Sequence, residues 1–355
     1  MKLLITGICG FVGFRIASHW REHRPDVEIL GMDNLLRSGS ERNRKHLREM
    51  GIRFVHGDIR NASDFEPLPS VDWVIDCAAN PSVLAGMDGK SSTRQLMEHN
   101  LGGTVELLEF CKRTGAGFIL LSTSRVYSVS ALATLPMRIK GERFELEEES
   151  VATPGVGLRG ISESFSTEPP LSLYGTSKRA AELLALEYGQ AFGFPVWINR
   201  CGVMAGPGQF GKIDQGIISY WIHAHHARKP LKYIGFGGSG YQVRDFFDPL
   251  DLVPLLIRQI DSPDRQVSRV INLGGGNKIS LSLAELTAWC NERFGKHAVL
   301  GSDEIRAFDI PWVVMDASEA RTAWQWEPKM GRDHILESIA LHAESNGNWL
   351  DLAES

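Results

Sequence analysis

The chain has 355 residues, 43% of them hydrophobic, which is enough for one large α/β domain or two lobes and excludes a disordered protein. Its formal net charge of -5 argues against nucleic acid or an anionic membrane as a partner. Five scattered cysteines without Cys-x-x-Cys spacing, and no segment near the roughly 20 apolar residues that span a bilayer, predict a cytoplasmic location.

A glycine-rich turn follows the first predicted strand, at residues 2–6, and opens a helix that runs to about residue 23. The residues of this turn that we expect to bind a cofactor are Gly7, Gly10, Phe11, Val12 and Gly13. Glycine at this spacing permits a tight turn and a close approach of the backbone to a pyrophosphate, and the helix N-terminus attracts the anion. The turn therefore predicts a dinucleotide site.

A second predicted strand, at residues 27–32, ends in Asp33, twenty residues after Gly13. At that distance a carboxylate would accept hydrogen bonds from the adenosine ribose and repel a 2′-phosphate, so Asp33 favours NAD over NADP. Alternatively, Asp33 caps the turn that it forms with Asn34.

The apolar segments 52–56 and 71–78 predict a third and a fourth strand, both central and parallel. After the fourth strand, Ala78 and Ala79 are small enough to let the nicotinamide half of the cofactor pass close to the backbone, and Asn80 follows them. We expect Asn80 to contact the ribose or the substrate.

A helix at residues 95–113 contains the polar Asn100, which either bends the helix or has a function. The fifth strand, at residues 118–121, then runs into hydroxyl-bearing residues that include Thr123 and Ser124. Doubly wound folds bind ligands at the C-terminal ends of their strands, so these hydroxyls are candidates for holding a substrate. The alternative is a turn stabilised by local hydrogen bonds.

Tyr174 and Lys178 begin a helix that extends to about residue 192. Four residues apart, they lie on one helical face, where the Lys178 charge favours the Tyr174 phenolate. A hydride-transfer enzyme needs such a base, whereas the alternative is an ordinary helix start with a solvated lysine. Because this helix is apolar on more than one side, it predicts a homodimer interface together with the 95–113 helix.

A sixth strand at residues 196–201 completes the alternation of strands and helices. The pattern predicts an α/β fold, a Rossmann-type doubly wound parallel sheet with a smaller C-terminal substrate-binding lobe. We predict an NAD-binding domain at residues 1–205, with a lid-like insertion at 128–173, and a partly interleaved substrate-binding lobe at 206–355. No metal is expected, because no cysteine or carboxylate near the three histidines of the segment 223–226 completes a ligand shell.

The combined motifs resemble the extended short-chain dehydrogenase/reductase family, and in particular its NAD-dependent nucleotide-sugar epimerases. The motifs are Gly7-x-x-Gly10-x-x-Gly13, Asp33, Gly57-Asp58, Asn100, Thr123, Tyr174-x-x-x-Lys178, Arg200 and Arg244-Asp245. Within the family the resemblance is strongest to epimerases of CDP-sugars. It rests there on Asp33-Asn34-Leu35, the segment 54–61, Gln209-Phe210, Asp214-Gln215-Gly216 and the segment 242–245.

The resemblance implies roles for individual residues. Tyr174 would be the catalytic base, and the hydroxyl of Thr123 would position the sugar. Lys178 would favour the Tyr174 phenolate and bind the ribose. Arg244 and Arg306 would grip the diphosphate, the alternative for each being a surface ion pair. Further implied contacts are Asn34, Asp58, Ile59, Ala78, Ala79 and Asn100 for NAD, and Asn80, Ser124 and Gln209 for the nucleotide sugar.

The implied activity is that of an isomerase, which oxidises one carbon of a nucleoside-diphosphate sugar, a CDP-sugar being favoured, and reduces it again with inverted stereochemistry. One alternative is a 4-epimerase, dehydratase or reductase of the same family. Dehydratase relatives carry an Asp-Glu pair where this chain has Ser124 and Arg125. The other alternative is a non-catalytic nucleotide-binding protein, which the presence of Thr123, Tyr174 and Lys178 disfavours.

Overall fold

The computed structural model describes residues 1–87, 92–212 and 215–354. Its central feature is a sheet of seven strands. They are β1 (Lys2–Thr6), β2 (Glu28–Asp33), β3 (Arg53–His56), β4 (Trp73–Asp76), β5 (Gly117–Thr123), β6 (Val196–Cys201) and β7 (Val270–Leu273).

The strands of this sheet lie in the order β3-β2-β1-β4-β5-β6-β7. The pairs β1–β2, β1–β4, β2–β3 and β4–β5 are parallel. Strands of this kind are buried on both faces, which explains the continuous apolar sequence of β1, where Leu3, Leu4 and Ile5 are fully buried. The order reverses between β1 and β4, the point at which doubly wound sheets bind dinucleotides, and the predicted fold class is confirmed.

The chain divides into two compact units, each assembled from three segments. The first unit contains residues 1–123, 173–200 and 249–271. Its helices are α1 (Phe11–His23), α2 (Asn43–Glu49), α3 (Thr93–Met97), α4 (Gly103–Thr114), α5 (Leu173–Phe192) and α6 (Val253–Asp261). Helices α4 and α5 pack on each other and share one hydrophobic core with β1, β4 and β5.

The helix predicted at residues 95–113 is interrupted. Ser92 caps α3 by accepting a hydrogen bond from the Gln95 amide at 3.3 Å, and a π-helical turn, Glu98–Gly102, separates α3 from α4. Asn100 lies in this turn and is 2% exposed. Such π turns often occur at functional sites, and this one turns the Asn100 side chain into the interior.

The second unit contains residues 124–172, 201–248 and 272–355. Its described strands form a sheet of Val203–Met204, Val243–Phe247, Ser280–Ser282 and Trp312–Val313, and three pairs: Leu231–Ile234 with Val299–Ser302, Met137–Lys140 with Arg143–Leu146, and Val156–Gly157 with Gly160–Ile161. Its described α-helices are Val129–Ala133, Ile217–His226, Leu283–Phe294, Ser318–Trp324, Arg332–Ser345 and Trp349–Glu354.

The segment that we expected to be a patternless insertion, residues 128–173, is folded, and up to residue 172 it belongs to the second unit. Its hairpin is fixed there by Arg143, which donates to Ser280 Oγ at 2.7 Å and contacts the Glu285 carboxylate at 3.3 Å. The predicted boundary at residue 205 lies close to the crossing between the units at residues 200–201. β7, which follows the predicted boundary, joins the central sheet.

The described part of the chain contains no helix that is both long enough and apolar enough to cross a membrane.

Candidate functional site

The glycine turn is packed so closely that two of its positions have no room for a side chain. Gly7 has a φ of +60°, and a Cβ there would lie 2.9 Å from the Ala78 Cα, while a Cβ at Gly13 would overlap the Gly7 carbonyl. The amide of Gly10 donates to the Gly7 carbonyl at 3.0 Å, which closes the turn before α1 begins at Phe11. A side chain at Gly7 or Gly13 would force the backbone apart, so these residues fit a bound dinucleotide.

Asp33 ends β2 beside this turn. Its carboxylate accepts the amide of Cys9 at 2.9 Å and that of Leu35 at 2.8 Å, so the turn-capping interpretation is confirmed. Burial raises the pKa of Asp33, and these backbone hydrogen bonds oppose the rise. The backbone amides of Leu35, Cys9 and Gly10 use three of the roughly four lone-pair sites of a carboxylate, so capping and the predicted NAD contact are compatible.

Three further residues predicted to contact NAD, Asn34, Asp58 and Ile59, make contacts within the protein. Arg60 donates to Asp58 at 2.9 and 2.7 Å, and Asn34 donates to it at 3.0 Å. Burial tends to raise the pKa of Asp58, but these hydrogen bonds outweigh it and hold the pKa below its usual value. The Ile59 side chain is buried and meets Gly103, so only its backbone is available to a cofactor.

Asn100 connects the loop after β4 to the start of α5. Its side-chain amide donates to the Asn80 carbonyl at 3.0 Å and to Ser177 Oγ at 3.2 Å, and its oxygen accepts the Asn80 amide at 2.8 Å. Ser177 in turn donates to the Tyr174 carbonyl at 2.8 Å. Both donors of Asn100 are used in joining Asn80 to Ser177, and its contact with NAD remains a prediction.

Tyr174 and Lys178 lie in the first turns of α5, and both are buried, with exposures of 9% and 2%. Tyr174 packs against Ala85 and Leu96. A lysine so buried is not the solvated residue of the alternative interpretation. Thr123, the last residue of β5, belongs to the same unit and is half-buried.

Asp76, at the end of β4, is a buried charge that interacts with Lys178 and that the sequence analysis did not assign. Asp76 is 1% exposed and accepts the Thr6 hydroxyl at 2.7 Å, while its Oδ2 has no hydrogen-bond partner among the described residues. Burial raises the pKa of Asp76, and the Lys178 charge opposes the rise. Asp76 is an acidic residue inside an apolar strand, and a role for it could have been predicted from that position.

The predicted diphosphate ligands lie in the second unit. Arg244 Nη1 donates to the Val243 carbonyl at 2.8 Å, and its Nη2 lies 3.7 Å from Asp309 Oδ1. Burial lowers the pKa of Arg244, Asp309 opposes this, and the charge of Arg306 adds to the lowering, so the two guanidinium groups interact. The Arg244 side chain is only 18% exposed, which excludes a simple surface ion pair.

The remaining predicted substrate contacts also lie in the second unit. Ser124 begins a 3-10 turn directly after β5 and is half-buried. The side-chain amide of Gln209 donates to the Met204 carbonyl at 2.9 Å, and the Gln209 carbonyl accepts Trp349 Nε1 at 2.8 Å. Asp214, part of the motif that resembles CDP-sugar epimerases, lies outside the described residues.

The histidines that we considered as metal ligands have partners in the protein. His223 Nε2 lies 3.2 Å from His342 Nδ1, and His225 Nε2 lies 3.1 Å from Asn291 Oδ1. Within the described ranges, one group has ligand atoms within 4.8 Å of one another, and it consists of His19, Glu22 and His23 on α1. It faces solvent at the end of α1 away from the glycine turn.

We expect acid to destabilise the protein through His223. Burial, reinforced by the charges of His342 and His226, lowers the pKa of His223 from 6.5 to about 3. The stability that its neutral ring contributes is complete above pH 6.5 and is lost as the pH falls toward about 3. The loss is about 1.4 kcal/mol of unfolding free energy per pH unit.

Thermal unfolding at about pH 7 and about pH 5 measures this loss. His223→Gln should lose less Tm between the two values than the wild type, and the exposed control His46→Gln should lose as much as the wild type. An equal loss in all three proteins would contradict the assignment.

Comparison with known proteins places this geometry in one family. Residues 3–274 match the NAD dependent epimerase/dehydratase family. The CDP-paratose 2-epimerase of Salmonella typhi is 31% identical over 344 residues, which cover 93% of this chain and 95% of that protein. The UDP-glucuronate 4-epimerase of Thermodesulfobacterium geofontis is 26% identical over 355 residues, 97% of this chain and 96% of the relative.

Solved structures of epimerases have the same fold as this chain. The structure of UDP-glucuronic acid 4-epimerase from Bacillus cereus in complex with UDP-glucuronic acid and NAD superposes with a TM-score of 0.78 at 24% identity, covering 97% of this chain and 99% of that one. The named relatives are epimerases and therefore isomerases, in agreement with the predicted enzyme class, and NAD is confirmed as the cofactor. The match over most of its length shows that the chain belongs to the NAD dependent epimerase/dehydratase family.

Proposed function

We propose that the protein epimerises a nucleoside-diphosphate sugar by transient oxidation and re-reduction of one carbon, with a CDP-sugar as substrate, as in a CDP-paratose 2-epimerase. The observation that carries the proposal is the burial of Tyr174 and Lys178 one turn apart, in the unit that also contains the glycine turn and Asp33. Placing an ammonium group out of water beside a phenol favours the phenolate that removes a hydroxyl proton.

Each residue has a distinct part in this chemistry. Tyr174 takes the proton of the sugar hydroxyl as the carbonyl forms and returns it when the carbonyl is reduced. Thr123 donates a hydrogen bond to the same oxygen, and Lys178 holds the ribose. Bound NAD supplies reversible hydride acceptance. Because the proton and the hydride both return to the sugar, the reaction consumes neither cofactor nor solvent.

The second unit carries charges that suit a diphosphate. The charges of Arg244 and Arg306 interact unfavourably, and Arg244 Nη2 lies 3.7 Å from Asp309 Oδ1. Two guanidinium groups beside one carboxylate leave positive charge for a diphosphate, whose oxygens accept bidentate hydrogen bonds. These observations support a nucleoside diphosphate. The support for cytosine as its nucleobase comes from the sequence comparison, where the CDP-sugar epimerase is the more similar of the two relatives described.

The residues that follow Thr123 argue against a dehydratase. Arg125, one of the two residues that replace the Asp-Glu pair of dehydratase relatives, donates to the Phe308 carbonyl at 3.1 Å. It is therefore engaged in the packing of the second unit, and a guanidinium group cannot deliver the additional proton that elimination of water requires.

A homodimer through α4 and α5 is also proposed. Leu183 and Phe192 on α5 are 49% and 48% exposed, and a second copy of the chain would cover this apolar surface. All five cysteines are free, which suits the proposed cytoplasmic location.

A substrate panel followed by NMR tests the proposed function. We expect CDP-paratose and CDP-tyvelose to interconvert at C2, and UDP-glucuronate, UDP-glucose and dTDP-glucose to stay unchanged. Inversion of UDP-glucuronate at C4 alone would contradict the CDP-sugar assignment. A 4-keto-6-deoxy product from any of the sugars would contradict epimerisation.

A further inference from the structure

Glu182 is a completely buried carboxylate on α5 for which the proposed chemistry has no use. Its Oε1 accepts Ser122 Oγ at 2.6 Å and Arg200 Nε at 3.0 Å, and its Oε2 accepts Arg200 Nη2 at 2.8 Å. Arg179 adds a hydrogen bond to Oε2 at 3.0 Å from the half-exposed side. A buried charge is tolerated when it is paired and its lone pairs are satisfied, and Glu182 meets both conditions.

This cluster joins three elements of the first unit. Ser122 belongs to β5 and directly precedes Thr123, Arg200 belongs to β6, and Glu182 belongs to α5. Residues four apart share a helical face, so Glu182 continues the face that carries Tyr174 and Lys178. The Ser122–Glu182 hydrogen bond therefore connects two elements. One is the end of β5, which carries Thr123, and the other is α5, which carries Tyr174.

We propose that Ser122 and Glu182 are positioning residues, which set the distance from the end of β5, and hence from Thr123, to the face of α5 that carries Tyr174. Neither residue touches the substrate. The inference rests on the proposed function, in which Thr123 and Tyr174 act on one sugar oxygen. Catalytic groups are sensitive to such distances, since a misplacement of about 1 Å costs about 100-fold in rate.

The alternative is that the cluster only stabilises the fold, and Ser122→Ala separates the two. This substitution removes the hydroxyl link and leaves the Glu182–Arg200 ion pair in place. We expect kcat to fall about 10- to 100-fold, with KM within about twofold of the wild type. NAD content should stay equal to that of the wild type, because Ser122 is not part of the glycine turn.

Two control variants match this change. Ser219→Ala also removes a buried hydroxyl, which donates to the Gly206 carbonyl at 3.3 Å, and should lower Tm without lowering kcat. Arg179→Ala removes the outer partner of Glu182 and should leave kcat unchanged. Ser122→Thr keeps a hydroxyl at this position and should therefore keep kcat higher than Ser122→Ala does.

Hydrogen–deuterium exchange gives a readout that does not depend on turnover. A peptide covering residues 117–126 should exchange faster in Ser122→Ala than in the wild type and in Ser219→Ala. If the wild type converts no nucleotide sugar, the proposed function fails, and the exchange data still decide whether Ser122 fixes the end of β5. Unchanged exchange in this peptide, or a kcat within about twofold of the wild type in an active enzyme, would overturn the positioning role.

Discussion

Tyr174→Phe is expected to lower kcat by about two to four orders of magnitude, the usual worth of a positioned acid/base group, while the protein still purifies with NAD. The phenylalanine ring fills the same space against Ala85 and Leu96, so the fold should be retained. What is lost is the oxygen that takes and returns the hydroxyl proton. Turnover is measured by NMR with the accepted nucleotide sugar, and NAD is quantified after denaturation.

Tyr188→Phe is the matched control for this experiment. Tyr188 is on the same helix and loses the same atom, but its hydroxyl donates to Glu109 at 2.8 Å, away from the proposed chemistry. It should keep kcat within about twofold of the wild type. Near-normal turnover in Tyr174→Phe would show that another residue is the base.

The central sheet was largely predictable because its strands are continuous apolar segments with few polar interruptions. β1 and β6 have the predicted bounds, and α1 ends where expected at His23. The place of β7 in the sheet was not predictable, since it is separated from its neighbour β6 by the segment 202–269 and local periodicity carries no information on such pairing. The hairpin of Met137–Lys140 and Arg143–Leu146 was not predicted, because its strands are short and rich in charge.

The sequence alone could propose the candidate site where its residues are close together in the chain. The glycine turn, and Tyr174 with Lys178, are defined by spacing alone. The polar partners that fix them come from elsewhere in the chain: Asp76 lies near Lys178, Asn100 binds Ser177, and Glu182 binds Arg200. Each of these three is a polar residue in an apolar or helical segment, and burial without a partner would be costly. A polar residue at such a position therefore predicts a partner, but it does not say which one.

The second large effect concerns the hydrogen on the inverted carbon, which should be retained almost completely when the reaction is run in heavy water. In transient oxidation this hydrogen leaves as hydride and returns to the same carbon without meeting solvent. In direct epimerisation a side-chain base would remove it as a proton and exchange it with water. Mass spectrometry and NMR of the product at early conversion distinguish the two outcomes.

The burial of the candidate groups makes retention the expected outcome. The phenol of Tyr174 handles only the hydroxyl proton, and none of the residues with a proposed role is a base for a carbon-bound proton. A substrate deuterated at the inverted carbon and turned over in ordinary water is the complementary control, and its product should keep the label. Solvent deuterium at that carbon in the early product would reject the redox mechanism while leaving family membership intact.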